Sequence, residues 1–125
     1  MFSHLTLGSN DIERSRTFYD AVFGALGAKP AIMDDKGRLI YFHKDALLLI
    51  TKPIDGQHAT AGNGSTVGFA MDSTEQADAW HAAGVANGGT SVEDPPGVRE
   101  SASGNLYLAY LRDPDGNKLC ALLRV

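Results

Sequence analysis

The sequence lacks several things, and each absence removes a class of protein. Its 125 residues contain one cysteine, Cys120, so no disulfide can form within the chain. That usage fits a reducing compartment, and the expected location is the cytoplasm. There is no run of Lys and Arg, and the net charge is -4, which argues against a nucleic-acid partner. Apolar runs such as Ala46 to Ile50 fall far short of the roughly 20 residues that cross a bilayer. The start Met1-Phe2-Ser3-His4 shows no basic segment followed by an apolar one, so no secretory signal is expected. No Gly-x-Gly-x-x-Gly follows a strand pattern, and neither a phosphate loop nor a Ser-His-Asp order is present.

What is present is a repeat. Ser3-His4-Leu5-Thr6-Leu7 leads to Asn10-Asp11-Ile12-Glu13 and a helical stretch; Ser65-Thr66-Val67-Gly68-Phe69 leads to Asp72-Ser73-Thr74-Glu75 and another. A shift of 62 pairs Leu5 with Val67, Leu7 with Phe69, Phe18 with Trp80 and Gly27 with Gly89. Each half reads as strand, helix and three further strands, a βαβββ module. Module 1 covers about 1–52, a Pro- and Gly-containing linker 53–64, and module 2 about 65–125. Neither module is large enough to bury a core alone, so the expectation is one domain over 1–125.

Within module 1, Phe2 to Leu7 alternates, so Leu5 and Leu7 cover the helix while His4 and Thr6 turn away. Asn10 is the expected N-cap, with Glu13 completing a capping box. Strands are expected at 29–34, 38–44 and 46–52, with Lys44-Asp45 as a tight turn. On the middle strand Ile40 and Phe42 are the more hydrophobic pair, which sends Tyr41 and His43 to the other face, toward a cleft. In module 2, Asp72 or Ser73 caps a helix that buries Ala77 and Trp80. Strands are expected near 90–93, 105–112 and 117–124. A loop holding Pro95-Pro96-Gly97 separates the first two, and Asp113-Pro114-Asp115-Gly116-Asn117 is the turn before the last. Leu106, Leu108 and Tyr110 share one strand face and Tyr107 and Ala109 the other; pattern does not choose between them.

His4-Leu5-Thr6-Leu7, Asn10-Asp11-Ile12-Glu13-Arg14-Ser15 with Phe18-Tyr19, and Asp113-Pro114-Asp115-Gly116-Asn117-Lys118-Leu119 together resemble the vicinal oxygen chelate superfamily. This group includes glyoxalases, bleomycin resistance proteins and extradiol dioxygenases. The resemblance covers nearly the whole chain. It implies an α+β fold of two paired βαβββ modules whose sheets curl around a cleft. It also implies four metal-ligand positions, on the first and last strand of each module. Here these are His4, Leu49, Thr66 and Cys120, where metal-dependent members usually carry carboxylates on the last strands. Leucine cannot ligate, and a catalytic metal ordinarily needs three protein ligands. No metal and no other cofactor is therefore expected.

Fold alone does not fix function. The expectation is a binding protein for a small molecule, its cleft lined by His4, Tyr41, His43, Leu49, Thr66, Arg99, Tyr107, Tyr110 and Cys120. Each tyrosine serves equally as a core or interface residue, Arg99 as a loop residue paired to Glu93, Asp94 or Glu100, and Cys120 as a small buried hydrophobe. The alternative is a glyoxalase-like lyase or isomerase with a divalent metal at a shifted site built on His4, Cys120 and His43. A homodimer is expected, as the resemblance implies a cleft built or completed between two subunits.

Overall fold

Alternation at the start of each half becomes a short strand, and each amphipathic stretch a helix of 13 residues, in a computed structural model describing all 125 residues. Module 1 forms β1 (Leu5–Gly8), α1 (Ile12–Gly24), β2 (Ile32–Met33), β3 (Leu39–His43) and β4 (Ala46–Thr51). Module 2 forms β5 (Val67–Ala70), α2 (Thr74–Ala86), β6 (Thr90–Ser91), β7 (Gly97–Ser101), β8 (Gly104–Arg112) and β9 (Lys118–Arg124). One sheet has the order β1-β4-β3-β2; the other has β5-β9-β8-β6, with β7 also on β8. The first and last long strands of each module run parallel, β1 with β4 and β5 with β9.

Register establishes the repeat in space. Thr6 lies opposite Leu49, and its counterpart Gly68 lies opposite Cys120. Ile40 lies opposite Leu49, as Tyr110 lies opposite Cys120. The core is shared by both modules. Phe18, Tyr19, Val22 and Phe23 of α1 meet Ala77 and Trp80 of α2, and both sheets close over them in one cluster. The helices cross closely at Gly84, where a Cβ would lie 2.3 Å from Leu111 Cδ1 and 3.2 Å from Phe18 and Val22. Such a crossing excludes side chains, so glycine is required by space here.

Two local expectations are corrected. The N-cap of α1 is Asp11, not Asn10: Asp11 Oδ1 accepts the Arg14 N–H at 3.1 Å. Asn10 instead clamps the linker, accepting the Ala59 N–H at 2.7 Å and donating to its carbonyl at 3.1 Å. A side chain committed to a distant backbone cannot also cap its own helix. Second, the segment after Pro95-Pro96 is not wholly a loop. Gly97–Ser101 is strand β7, a hairpin partner of β8 turning through Gly104 at φ 118.

Candidate ligand-binding site

Each sheet has a face toward the helices and a face away from them, and the register sorts every candidate onto one or the other. In the first sheet Leu5, Leu48 and Tyr41 form one inner row, and Leu7, Ile50 and Leu39 the next. Thr6, Leu49, Ile40 and Ile32 form an outer row, with Leu47 beside Phe42 next to it. This outer surface is apolar although it faces away from the core: Ile32 is 61% and Phe42 60% exposed. His4 precedes β1, is exposed, and its Nδ1 meets Ser3 Oγ at 2.8 Å.

The expected facing of β3 is therefore reversed. Tyr41, 3% exposed, belongs to the core, and Ile40 and Phe42 look outward. The cause is a polar partner inside. The Tyr41 hydroxyl donates to Asp20 Oδ1 at 2.7 Å, which lets the ring pack against Phe23 and Tyr19. Burial first, then the bond to Asp20, holds this phenol well above its ordinary pKa. His43 shares the inner face of Tyr41.

In the second sheet Tyr110, Cys120 and Gly68 share an outer row, with Leu108 and Leu122 beside it. Tyr107 lies on the inner face with Ala109 and gives its hydroxyl to Asp78 at 2.5 Å. Arg99, opposite Leu106, is on the outer side of β7. Its guanidinium pairs with no carboxylate, donating instead to the carbonyls of Asp94 and Pro95 at 3.1 and 2.9 Å. Thr66 is exposed just ahead of β5. Burial pushes the Cys120 thiol up, and burial likewise raises the Tyr110 phenol. Lys118 ion-pairs with Glu93 and sits with its Nζ 4.8 Å from the centre of the Tyr110 ring.

The side chains do not fit a metal centre. Nowhere do three His, Cys, Asp or Glu side chains come together as a ligand group. Leu49, expected from the resemblance at a ligand position, is set between Thr6 and Ile40.

The Asp113–Asn117 segment has a structural task. Asp113, 4% exposed, accepts the Tyr19 hydroxyl at 2.5 Å, the Asn117 Nδ2 at 2.9 Å, and the N–H groups of Asp115 and Asn117. Asp115 accepts the Asn10 N–H, the Arg14 guanidinium and the Ser15 hydroxyl. Asn117 Nδ2 also reaches the Gly8 carbonyl at 3.2 Å. The loop thus latches module 2 onto the start of α1. Satisfied buried carboxylates of this kind hold a unique arrangement.

Between the modules lies a cavity of about 240 Å³. Its walls are mostly apolar, built from Phe23 and Leu26 at the end of α1, Leu5 and Leu48 of the first sheet, and Phe69 of β5. Tyr41, His43 and Lys44 complete it on the β3 side. Sequence reasoning named Tyr41 and His43 but missed Lys44, Phe23 and Phe69. Their common location was hidden because the cavity is bounded by both modules. The structure thus divides the candidates: His4 and Thr66 are exposed just ahead of β1 and β5, Leu49, Arg99, Tyr110 and the buried Cys120 lie on outer sheet faces, Tyr41 and His43 at this cavity, and Tyr107 under α2.

The sequence profile of the Glyoxalase/Bleomycin resistance protein/Dioxygenase superfamily matches residues 1–121. The chain belongs to this superfamily. A glyoxalase/bleomycin resistance protein from Albidiferax ferrireducens T118 is 59% identical, covers 99% of both chains and superposes with a TM-score of 0.95. A glyoxalase/bleomycin resistance protein/dioxygenase family enzyme from Burkholderia phytofirmans PsJN, 20% identical over 98% of both chains, has a TM-score of 0.75. A glyoxalase-related enzyme from Fulvimarina pelagi, 18% identical over 98% of this chain and 86% of that one, has a TM-score of 0.72. The latter two share the fold. No protein of curated function matches the chain. No helix is long and apolar enough to cross a membrane.

Proposed function

We propose that this member of the superfamily binds a small apolar or aromatic molecule in the cytoplasm, without a metal, on its outer sheet faces. The observation that carries the reading is Leu49. It stands where metal-dependent relatives need a carboxylate, in an outer row of Thr6, Ile40 and Ile32 beside Phe42 and Leu47. A surface of this composition, rimmed by His4 and Thr6, suits an apolar ligand held by few polar contacts. On the second sheet Tyr110 offers an aromatic counterpart, with buried Leu108 and Cys120 beside it on the same face, Arg99 at the β7 side and Thr66 ahead of β5.

A second copy of the chain completes the cleft in this reading. Exposed Ile32 and Phe42 support it, since contiguous apolar surface on a folded protein marks an interface or a ligand site. The lyase or isomerase alternative, with a shifted metal on His4, Cys120 and His43, gains no support. His43 lies on an inner strand face, whereas Cys120 lies on an outer one.

The test uses a neutral apolar dye, Nile red, with sedimentation velocity. The native protein is expected to sediment as a dimer at micromolar concentration and to bind the dye saturably. Leu49→Glu places a carboxylate in that surface at a cost of about 2 kcal/mol or more if it is covered. Loss of both dimer and dye binding with retained folding supports the reading. A monomeric native protein, or dye binding unchanged in Leu49→Glu, overturns it.

A further inference from the structure

The cavity between the modules is lined chiefly by inner-face residues, meets the outer faces at Leu47 and Gly68, and has its own chemistry. Its volume of about 240 Å³ suits a single-ring molecule, since an apolar cavity of roughly 150 Å³ already holds benzene. Phe23 and Phe69 stand with ring centroids 5.3 Å apart at 72°, and Phe23 meets Tyr41 at 4.9 Å. These rings offer edge and face contacts to a planar guest.

The polar groups at the cavity are sharply biased. No carboxylate lines it; the ionisable side chains there are Tyr41, His43 and Lys44. Tyr41 is already spent on Asp20. The Lys44 ammonium bonds both oxygens of Asp72 at 3.1 and 3.3 Å, an exposed pair that bridges the two modules. An ammonium has three donors, and the His43 imidazole has no partner within the chain. Lys44 also adopts φ 53, a left-handed conformation that is uncommon for a side chain of this length. An apolar chamber with aromatic walls and nitrogen donors on one side is complementary to one class of molecule.

We propose that this cavity binds a small monocyclic aromatic carboxylate, its ring packed against the wall formed by Phe23, Phe69 and Tyr41 and its carboxylate on Lys44 and His43. The site goes beyond the outer-face reading and does not depend on it. Lys44 then serves two anions, Asp72 from β5's end and the guest.

Benzoate is the probe, with benzyl alcohol as its uncharged counterpart, measured by calorimetry on the full chain. Saturable binding of benzoate is expected with Kd of about 1 mM or below, a reasonable strength for so small a ligand. Benzyl alcohol should bind at least tenfold more weakly. Lys44→Gly keeps the turn, since glycine accepts the positive φ, and should weaken benzoate tenfold or more with no loss of melting temperature. Ala46→Phe, on the inner face with Leu48 and His43, fills the chamber and should abolish binding. Leu49→Glu should leave benzoate affinity unchanged, and Lys44→Gly should leave Nile red binding unchanged, so the two readings fail separately. Absence of saturable benzoate binding to the folded native protein overturns the proposal. So does binding that Lys44→Gly and Ala46→Phe both leave intact.

Discussion

The two modules are joined at two equivalent places, and the joints are built differently. At one, the β8–β9 loop meets the start of α1: Asp113 and Asp115 take bonds from Tyr19, Asn10, Arg14 and Ser15. At the other, the β3–β4 turn meets the end of β5, where the repeat places Asp72 at the position of Asn10. There a single exposed pair, Lys44 with Asp72, spans the gap. The difference is loop length. The β8–β9 connection is Asp113 to Asn117, long enough to bury a carboxylate and fold around it. The β3–β4 connection is only Lys44 and Asp45, which reaches the neighbouring module with one side chain and leaves the cavity beside it. One repeat thus yields a closed joint that holds the fold and an open joint with room for a guest.

The largest expected effect breaks the closed joint. Asp113→Ala removes the acceptor of four hydrogen bonds and strands buried donors, so a loss of about 3 kcal/mol or more is expected in urea unfolding. Tyr19→Phe removes one bond to that carboxylate and should cost about 2 kcal/mol. The same residue gives the joint a pH dependence. Burial first, then the charge and hydrogen bond of Asp113, hold the Tyr19 phenol well above its ordinary value. In the unfolded chain it ionises near an ordinary pKa of about 10. The folded pKa is the raised one, so this stability is complete below about pH 10 and declines as pH rises past it. Melting temperatures from pH 8 to 11 should fall less steeply for Tyr19→Phe than for the native chain. An equal slope would remove Tyr19 from the account. The smallest effect belongs to the open joint. Asp72→Asn breaks only an exposed ion pair, worth about 0–1 kcal/mol, and should barely move the melting temperature. A cost for Asp72→Asn as large as that for Asp113→Ala would erase the contrast.

Most of this architecture was legible in the residues, because the signal for it is local. The alternation of Leu5, Leu7, Val67 and Phe69, the helical stripes, and the turn residues at Asp113–Asn117 each point to their own element. The facing of β3 was misread, and it was recoverable. A two-residue turn at Lys44-Asp45 pairs His43 with Ala46, hence Tyr41 with Leu48 and Ile40 with Leu49. Once Leu49 is placed outside, Ile40 must be outside and Tyr41 inside. Hydrophobicity was the weaker guide, since Asp20 on α1 supplies the partner that lets Tyr41 be buried. The cavity was not legible, because its walls come from both modules and no single segment carries its pattern. Strand β7 was obscured by the prolines ahead of it, which end before the strand begins.

In the proposed function, the position held by Leu49 serves an apolar ligand and no metal. Elemental analysis of protein purified without chelator tests it most directly. The expected result is well under one equivalent of Ni, Zn, Fe, Mn or Mg per chain, with turnover of the methylglyoxal–glutathione hemithioacetal at background. One equivalent of metal per chain, lost on His4→Ala, would contradict it.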